Sequence, residues 1–440
     1  MNQFKKQAAG FIILSAVLWV SIAAKSQPTP SPSFSAQTPK EKKGAFYTGL
    51  YRNLFIEAGY GPADIERKVN QAYYDLFEGP HKIYFEVGNS MAFVSDIKNH
   101  DARTEGLSYG MMIAVQLNKK DVFDRIWRWS KKYLQHPDGP REGYFAWSID
   151  PKTMKKNSEG SASDGELYFI TSLLFASNRW GNHSGIDYYK EARKILDAIW
   201  KKDGTGNIYN LINVEHKQIT FVPEGRGAGW TDPSYHLPAF MEIWAEYAKD
   251  GHESFYRECA DTSRMFLHRA CDSVTALNAD LTEFSGKPYS APWMAAAFRY
   301  DSWRVPMNIT MDYVWFGADG NWQEDYARRF QNFLRTRGLD NFEDQFNLDG
   351  SRPEFILPAG GVKKLRHSLG LVASSASTSL IFRQDKNFDF VNALWNAKLT
   401  PYDDGYFDPY YDGLLYLFSL MHLSGKYQVI KPRPIDMFLK

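Results

Sequence analysis

Residues 164–176 read DGELYFITSLLFA. Past Asp164 and Glu166 the stretch carries no charge, and small, aliphatic and aromatic residues fall on every side of a helical turn. A helix with this pattern is buried all round, not wet on one face. Five more stretches share it. They begin at Glu105 (EGLSYGMMIAVQL), Asp232 (DPSYHLPAFMEIW), Asp301 (DSWRVPMNITMDYVWFG), His367 (HSLGLVASSASTSLIF) and Asp412 (DGLLYLFSLMHLSG). In chain order the six starts lie 59, 68, 69, 66 and 45 residues apart.

An amphipathic segment precedes each of them. ADIERKVNQAYYDLF, KDVFDRIWRWSKKYL, YYKEARKILDAIWKK, HESFYRECADTSRMFLHRA and NWQEDYARRFQNFLRT repeat apolar residues at helical spacing with charges elsewhere. Alternating wet and dry helices predict an all-α, (α/α)6 barrel with six inner and six outer helices. No series of strands alternates with the helices, which disfavours a parallel sheet. Short strands fit only the interhelix loops, as at 208–222 (IYNLINVEHKQITFV). The competing architecture is an open α-solenoid. Loops of 20–30 residues between units favour a closed barrel, because long loops usually carry function.

The chain has 440 residues, with Lys+Arg 52 against Asp+Glu 51, and so lacks the basic excess of a nucleic-acid binder. Lys5 and Lys6, the apolar run 11–20 and the small residues Ser21, Ala23 and Ala24 predict a secretory signal peptide over 1–24. Residues 25–44 are rich in Pro, Ser and Lys and are expected to form a flexible tether, leaving 45–440 as one folded domain. The expected product is exported, free of the membrane after signal removal, and monomeric. Cys259 and Cys271 fall on one helical pattern, about 18 Å apart along it, beyond disulfide reach. Two buried thiols are expected. Asn182-His183-Ser184 and Asn308-Ile309-Thr310 match the glycosylation tripeptide, and the second is set aside because it lies in a buried helix. There is no HExxH, paired CxxC, Walker A or helix-preceding GxGxxG, so no metal or cofactor is expected. Aromatic residues make up 16% of the chain, more than a core alone requires.

Acids open five of the six inner segments. A single acid there is an ordinary N-cap. If the inner helices run parallel, however, Glu105, Asp164, Asp232, Asp301 and Asp412 gather at one rim. Carboxylates and aromatics around one mouth suit glycoside hydrolysis, where one acid protonates the leaving oxygen and one carboxylate activates water.

Residues 162–166 (ASDGE), continued by Ser172, Leu173, Leu174, Ala176 and Trp180, resemble the signature of glycoside hydrolase family 8, with Glu166 in place of its second Asp. Arg103-Thr104-Glu105-Gly106 with Ser108-Tyr109-Gly110 resembles that family's general-acid motif, and Tyr300-Asp301-Ser302-Trp303-Arg304 its general-base motif. Residues 44–47, 51–55, 143–147 and 232–238 narrow the resemblance to members that release xylose from the reducing end of xylo-oligosaccharides. The resemblance implies an inverting mechanism without cofactor. Glu105 would be the general acid and Asp301 the general base, with Arg304 keeping Asp301 ionised. Asp164 would bond sugar hydroxyls at the cleaved bond. Arg103 would orient a carboxylate or a hydroxyl. Trp147, Tyr235, Tyr410 and Tyr411 would contact sugar, and His367 the reducing-end hydroxyl. Arg366 separates Leu365 from His367, where the resembled enzymes carry an adjacent Leu-His pair that restricts them to chain ends. An endo-xylanase or endo-β-glucanase therefore stays open, as does, more remotely, a non-catalytic sugar-binding barrel.

Overall fold

The stretch at 164–176 lies within a helix spanning Ser163–Trp180, and every residue from Ser163 to Asn178 is buried. A computed structural model describes residues 44–183, 185–290, 296–353, 364–382 and 387–432. These all fall within one compact unit, Lys42–Lys440. The expected signal segment, all but the last residue of the tether, and Ser184 of the first tripeptide lie outside the described residues.

Among the described residues, twelve helices build the barrel: α1 (Pro62–Phe77), α2 (Thr104–Gln116), α3 (Lys120–Tyr133), α4 (Ser163–Trp180), α5 (Tyr188–Trp200), α6 (Pro238–Tyr247), α7 (Glu253–Ala270), α8 (Arg304–Trp315), α9 (Gly320–Arg337), α10 (Leu369–Ser377), α11 (Asp389–Asn396) and α12 (Tyr411–Leu423). The even-numbered helices are buried on nearly every side. The odd-numbered ones bury a stripe; in α1 it is Ile65, Val69, Ala72, Tyr73, Leu76 and Phe77, at helical spacing. Each even helix packs on the next, and α12 packs back on α2, so the ring closes. That closure rejects the open solenoid. The odd helices form the outer ring, with α1 against α12 and each later one against the inner helix before it.

Two inner helices start three or more residues later than their sequence pattern. Pro238 opens α6, because a proline lacks the amide hydrogen and disfavours helix in the residue before it. Asp232 instead caps a 3-10 turn, Pro233–Tyr235, by accepting from the Ser234 amide at 2.7 Å. Asp301 lies in another 3-10 turn, Tyr300–Trp303, that runs into α8.

The loops supply small antiparallel sheets. β1 (Tyr84–Val87) pairs with β2 (Met91–Val94). β3 (Ala102–Arg103), β4 (Ser148–Asp150) and β5 (Lys155–Ser158) form a three-stranded sheet, with Arg103 opposite Ser148. β6 (Ile212–Asn213) and β7 (Gln218–Ile219) pair inside the loop where strands were expected. Cys259 and Cys271 are free, buried thiols. Much of the aromatic excess is core: Trp127, Trp129, Trp244, Trp303 and Trp315 are fully buried.

Candidate active site

The inner helices run parallel enough that the starts of α2, α4 and α8 meet through one side chain. Arg304, the first residue of α8, is 4% exposed. Its Nη1 donates to Glu105 Oε2 (3.1 Å), Asp164 Oδ2 (2.9 Å) and the Tyr109 hydroxyl (3.0 Å). Its Nη2 pairs with Asp301 Oδ1 at 2.9 Å. Such close approach of helix starts requires small residues. A Cβ on Gly165 would sit 2.4 Å from the Thr104 side chain, and one on Gly106 would sit 2.3 Å from the Tyr410 ring.

Arg304, Glu105, Asp164, Asp301 and Thr104 line a cleft of about 330 Å³ together with Arg103, Trp147, Phe221, Val222 and Tyr235. The β-sheet sets one wall: the Thr104 amide donates to the Trp147 carbonyl at 2.9 Å. Arg103 lies over the Trp147 ring, 5.5 Å from its centroid, and is held by Asp101 and Asp96. Tyr235 packs against Arg304 (5.4 Å) and stacks on Phe221 (5.9 Å).

The electrostatics mark Glu105 as the candidate acid. Burial pushes Glu105 up to about 7; Arg304 opposes the shift, while Asp164 and Asp301 add to it. A carboxyl at that value holds its proton near neutral pH, as a general acid must. Burial also raises Asp164, against the pull of Arg304. Burial works against the charge on Arg304 itself, and the surrounding carboxylates, Asp301 foremost, more than restore it. The side chain of Asp301 is 26% exposed, the most open of the three acids at the cleft.

Five expected residues sit elsewhere than the sequence suggested. Tyr410 is 2% exposed; its ring covers Gly106 and its hydroxyl donates to Glu105 Oε1 at 2.9 Å, so it holds the acid and offers sugar no face. Tyr411 donates to the Tyr300 carbonyl at 2.8 Å, which braces the turn carrying Asp301. Asp412 is not a mouth carboxylate: it accepts from the Gly370 amide and the Tyr402 hydroxyl, both at 2.9 Å, and so caps α10. Asp232 is fully buried beside the Asp301 turn. His367 lines a separate hollow of about 600 Å³ with Leu339, Asp340 and Tyr402, and its Nδ1 donates to the Phe342 carbonyl at 2.9 Å.

Sequence reasoning passed over Tyr109, Phe221 and Val222 as site residues. Tyr109 stood inside the quoted acid motif, so its position was in view. Phe221 and Val222 left no signal, because a loop wall is set by where the loop folds back.

The glycosyl hydrolases family 8 profile matches residues 93–347, a span that contains Glu105, Asp164 and Asp301. The chain belongs to glycosyl hydrolase family 8. Within family 8 it is 38% identical over 399 residues to the reducing end xylose-releasing exo-oligoxylanase of Halalkalibacterium halodurans, covering 89% of this chain and 98% of that one. It is 36% identical to the enzyme of the same name from Bifidobacterium adolescentis, covering 86% and 97%. Among solved structures it superposes on Rex8A from Paenibacillus barcinonensis, complexed with xylose, with a TM-score of 0.80 at 36% identity, covering 88% of this chain and all of that one. The family read from residues 162–180 is thereby established, and with it a glycoside hydrolase on an (α/α)6 barrel.

Proposed function

We propose that this family 8 enzyme hydrolyses β-1,4-xylo-oligosaccharides and releases single xyloses from the reducing end, with inversion at the anomeric carbon. One observation carries the mechanism: Glu105 and Asp301 are bonded to different amino groups of the same guanidinium, the first raised to about 7 and the second more open to the cleft. In this reading Glu105 protonates the leaving oxygen and Asp301 takes a proton from the attacking water on the opposite face of the ring. Asp164 bonds the sugar at the cleaved bond. Trp147 and Tyr235 supply flat walls that suit a pentose without a hydroxymethyl arm. Restriction to the reducing end is supported by high coverage of relatives that bear that activity in their names. The chain's first 24 residues support export.

Xylotetraose labelled at its reducing end tests the proposal. Early labelled xylose, with an inverted anomer at the new reducing end by NMR, is expected. Internal cleavage with rapid loss of xylan viscosity would replace it with an endo-xylanase.

A further inference from the structure

Glu166 is the one residue in the ASDGE stretch that departs from the family signature, and the cleft does not use it. On α4 it stands two residues beyond Asp164, which turns it about 200° around the helix. Asp164 therefore faces the cleft while Glu166 faces the β4–β5 hairpin. Glu166 is 0% exposed. Its Oε1 accepts from the Phe145 amide (3.0 Å) on the incoming leg of that hairpin and from the Ser161 hydroxyl (2.6 Å) on the returning leg. Between these two ties, the Trp147 amide donates to the Gly160 carbonyl at 2.8 Å, joining the legs. One carboxyl oxygen thus gathers both ends of the segment that carries Trp147. Its other oxygen, Oε2, is buried with no hydrogen-bond partner among the described residues.

We infer that Glu166 is a positioning residue that ties the Trp147 wall of the cleft to the helix presenting Asp164, acting as an acceptor through Oε1 alone. Two facts fit a neutral group in this role. No cation lies among its bonded partners, and burial pushes its carboxyl up to about 8, against the pull of Ser161 and Phe145. A proton on Oε2 leaves Oε1 free to accept both bonds, and a carboxylate without a counter-ion would be far costlier in this place. The extra methylene of Glu over Asp supplies the reach to both legs. The incoming leg has another tie, from the Ala146 amide to the Leu134 carbonyl (3.0 Å), so removal of Glu166 loosens the hairpin without freeing it.

The inference rests on the proposed sugar contact of Trp147, and a mutant cycle separates the two. Steady-state kinetics on xylotriose are measured for the parent, W147A, E166A, the double variant and E166Q. Loss of two buried hydrogen bonds acting on a wall should raise KM about fivefold in E166A with kcat within about twofold, the signature of lost binding and intact chemistry. E166Q keeps an acceptor in place of Oε1 and should restore KM. In the W147A background E166A should add nothing, because the residue works through Trp147. Equal E166A effects with and without Trp147 would overturn the positioning role while leaving the sugar contact standing. An unchanged KM in W147A would overturn both. Where E166A does not fold, E166D and E166Q decide: a raised KM in E166D alone supports the tie, and equal KM in the two overturns it.

Discussion

Two buried arginines in this barrel are each surrounded by three carboxylates, and only one of them sits in a cleft. Arg304 meets Glu105, Asp164 and Asp301 at the start of α8. Arg264, on α7, meets Asp312, Glu242 and Asp261. Asp312 lies eight residues along α8 from Arg304, about 12 Å deeper into the barrel. The inventories match and the geometries do not. Arg264 grips Asp312 with a two-pronged fork, Nε at 3.0 Å and Nη2 at 2.7 Å, and Gln323 adds a bond to the same carboxylate at 2.8 Å. Arg304 instead divides one amino group among three acceptors, and its Nε has no partner among the described residues. A closed fork makes a permanent ion pair. A shared, end-on set leaves each acid incompletely neutralised, so burial can lift Glu105 into the range where proton exchange is useful. The same chemistry serves as a strut in one place and as a proton-handling site in the other.

The comparison breaks most visibly under isosteric neutralisation at the cleft. E105Q and D301N should each lower kcat by about 10²–10⁴, the range of a lost general acid or base, while thermal unfolding midpoints barely move. A near-parental kcat in either would remove that residue from the chemistry. At the strut the effects should exchange places. R264M leaves Asp312 buried without its cation and should cost about 3–5 kcal/mol of stability in denaturant unfolding, with kcat per folded molecule unchanged. A loss of kcat there would mean that the two clusters are coupled along α8.

The pH dependence sharpens the contrast. Glu105 acts only while protonated and its carboxyl is raised to about 7, so kcat/KM should fall above about pH 7, tending to tenfold per unit. A flat profile to pH 9 would show that the acid is held far more tightly than its surroundings imply. The smallest effect concerns Glu166, a buried acid with no cation among its bonded partners. Folded Glu166 keeps its proton to about pH 8, whereas an exposed Glu releases it near 4.5. Across that window the folded chain holds the extra proton, so the stability this group contributes is full below about pH 4.5 and lost as pH rises towards 8. E166Q has no such loss. Its melting temperature relative to the parent should climb by a few degrees from pH 5 to pH 8.

Much of this was legible from residue order because the barrel repeats one physical choice six times. Charge-free helices must be covered, and amphipathic ones must cover them. Glu105, Asp164, Asp301 and Arg304 were legible for a related reason: a helix start on a shared rim is a position along the chain as well as in space. Asp232 and Asp412 had the same sequence appearance and proved to be caps, since the pattern shows where a carboxylate begins a segment but not which way it turns. His367, Tyr410 and Tyr411 were misplaced likewise, because a ring near the mouth can face sugar, a carboxylate or a neighbouring carbonyl with equal ease.

Sequence alone therefore determined the six-fold alternation, through local periodicity, and the family and the three cleft acids, through the resemblance carried by short motifs. Tertiary structure decided which oxygen each arginine hand reaches, which aromatic rings face open space and which buried acid stays neutral. Those depend on distances of a few ångströms between segments far apart in the chain, and on how much water the closed ring excludes from them.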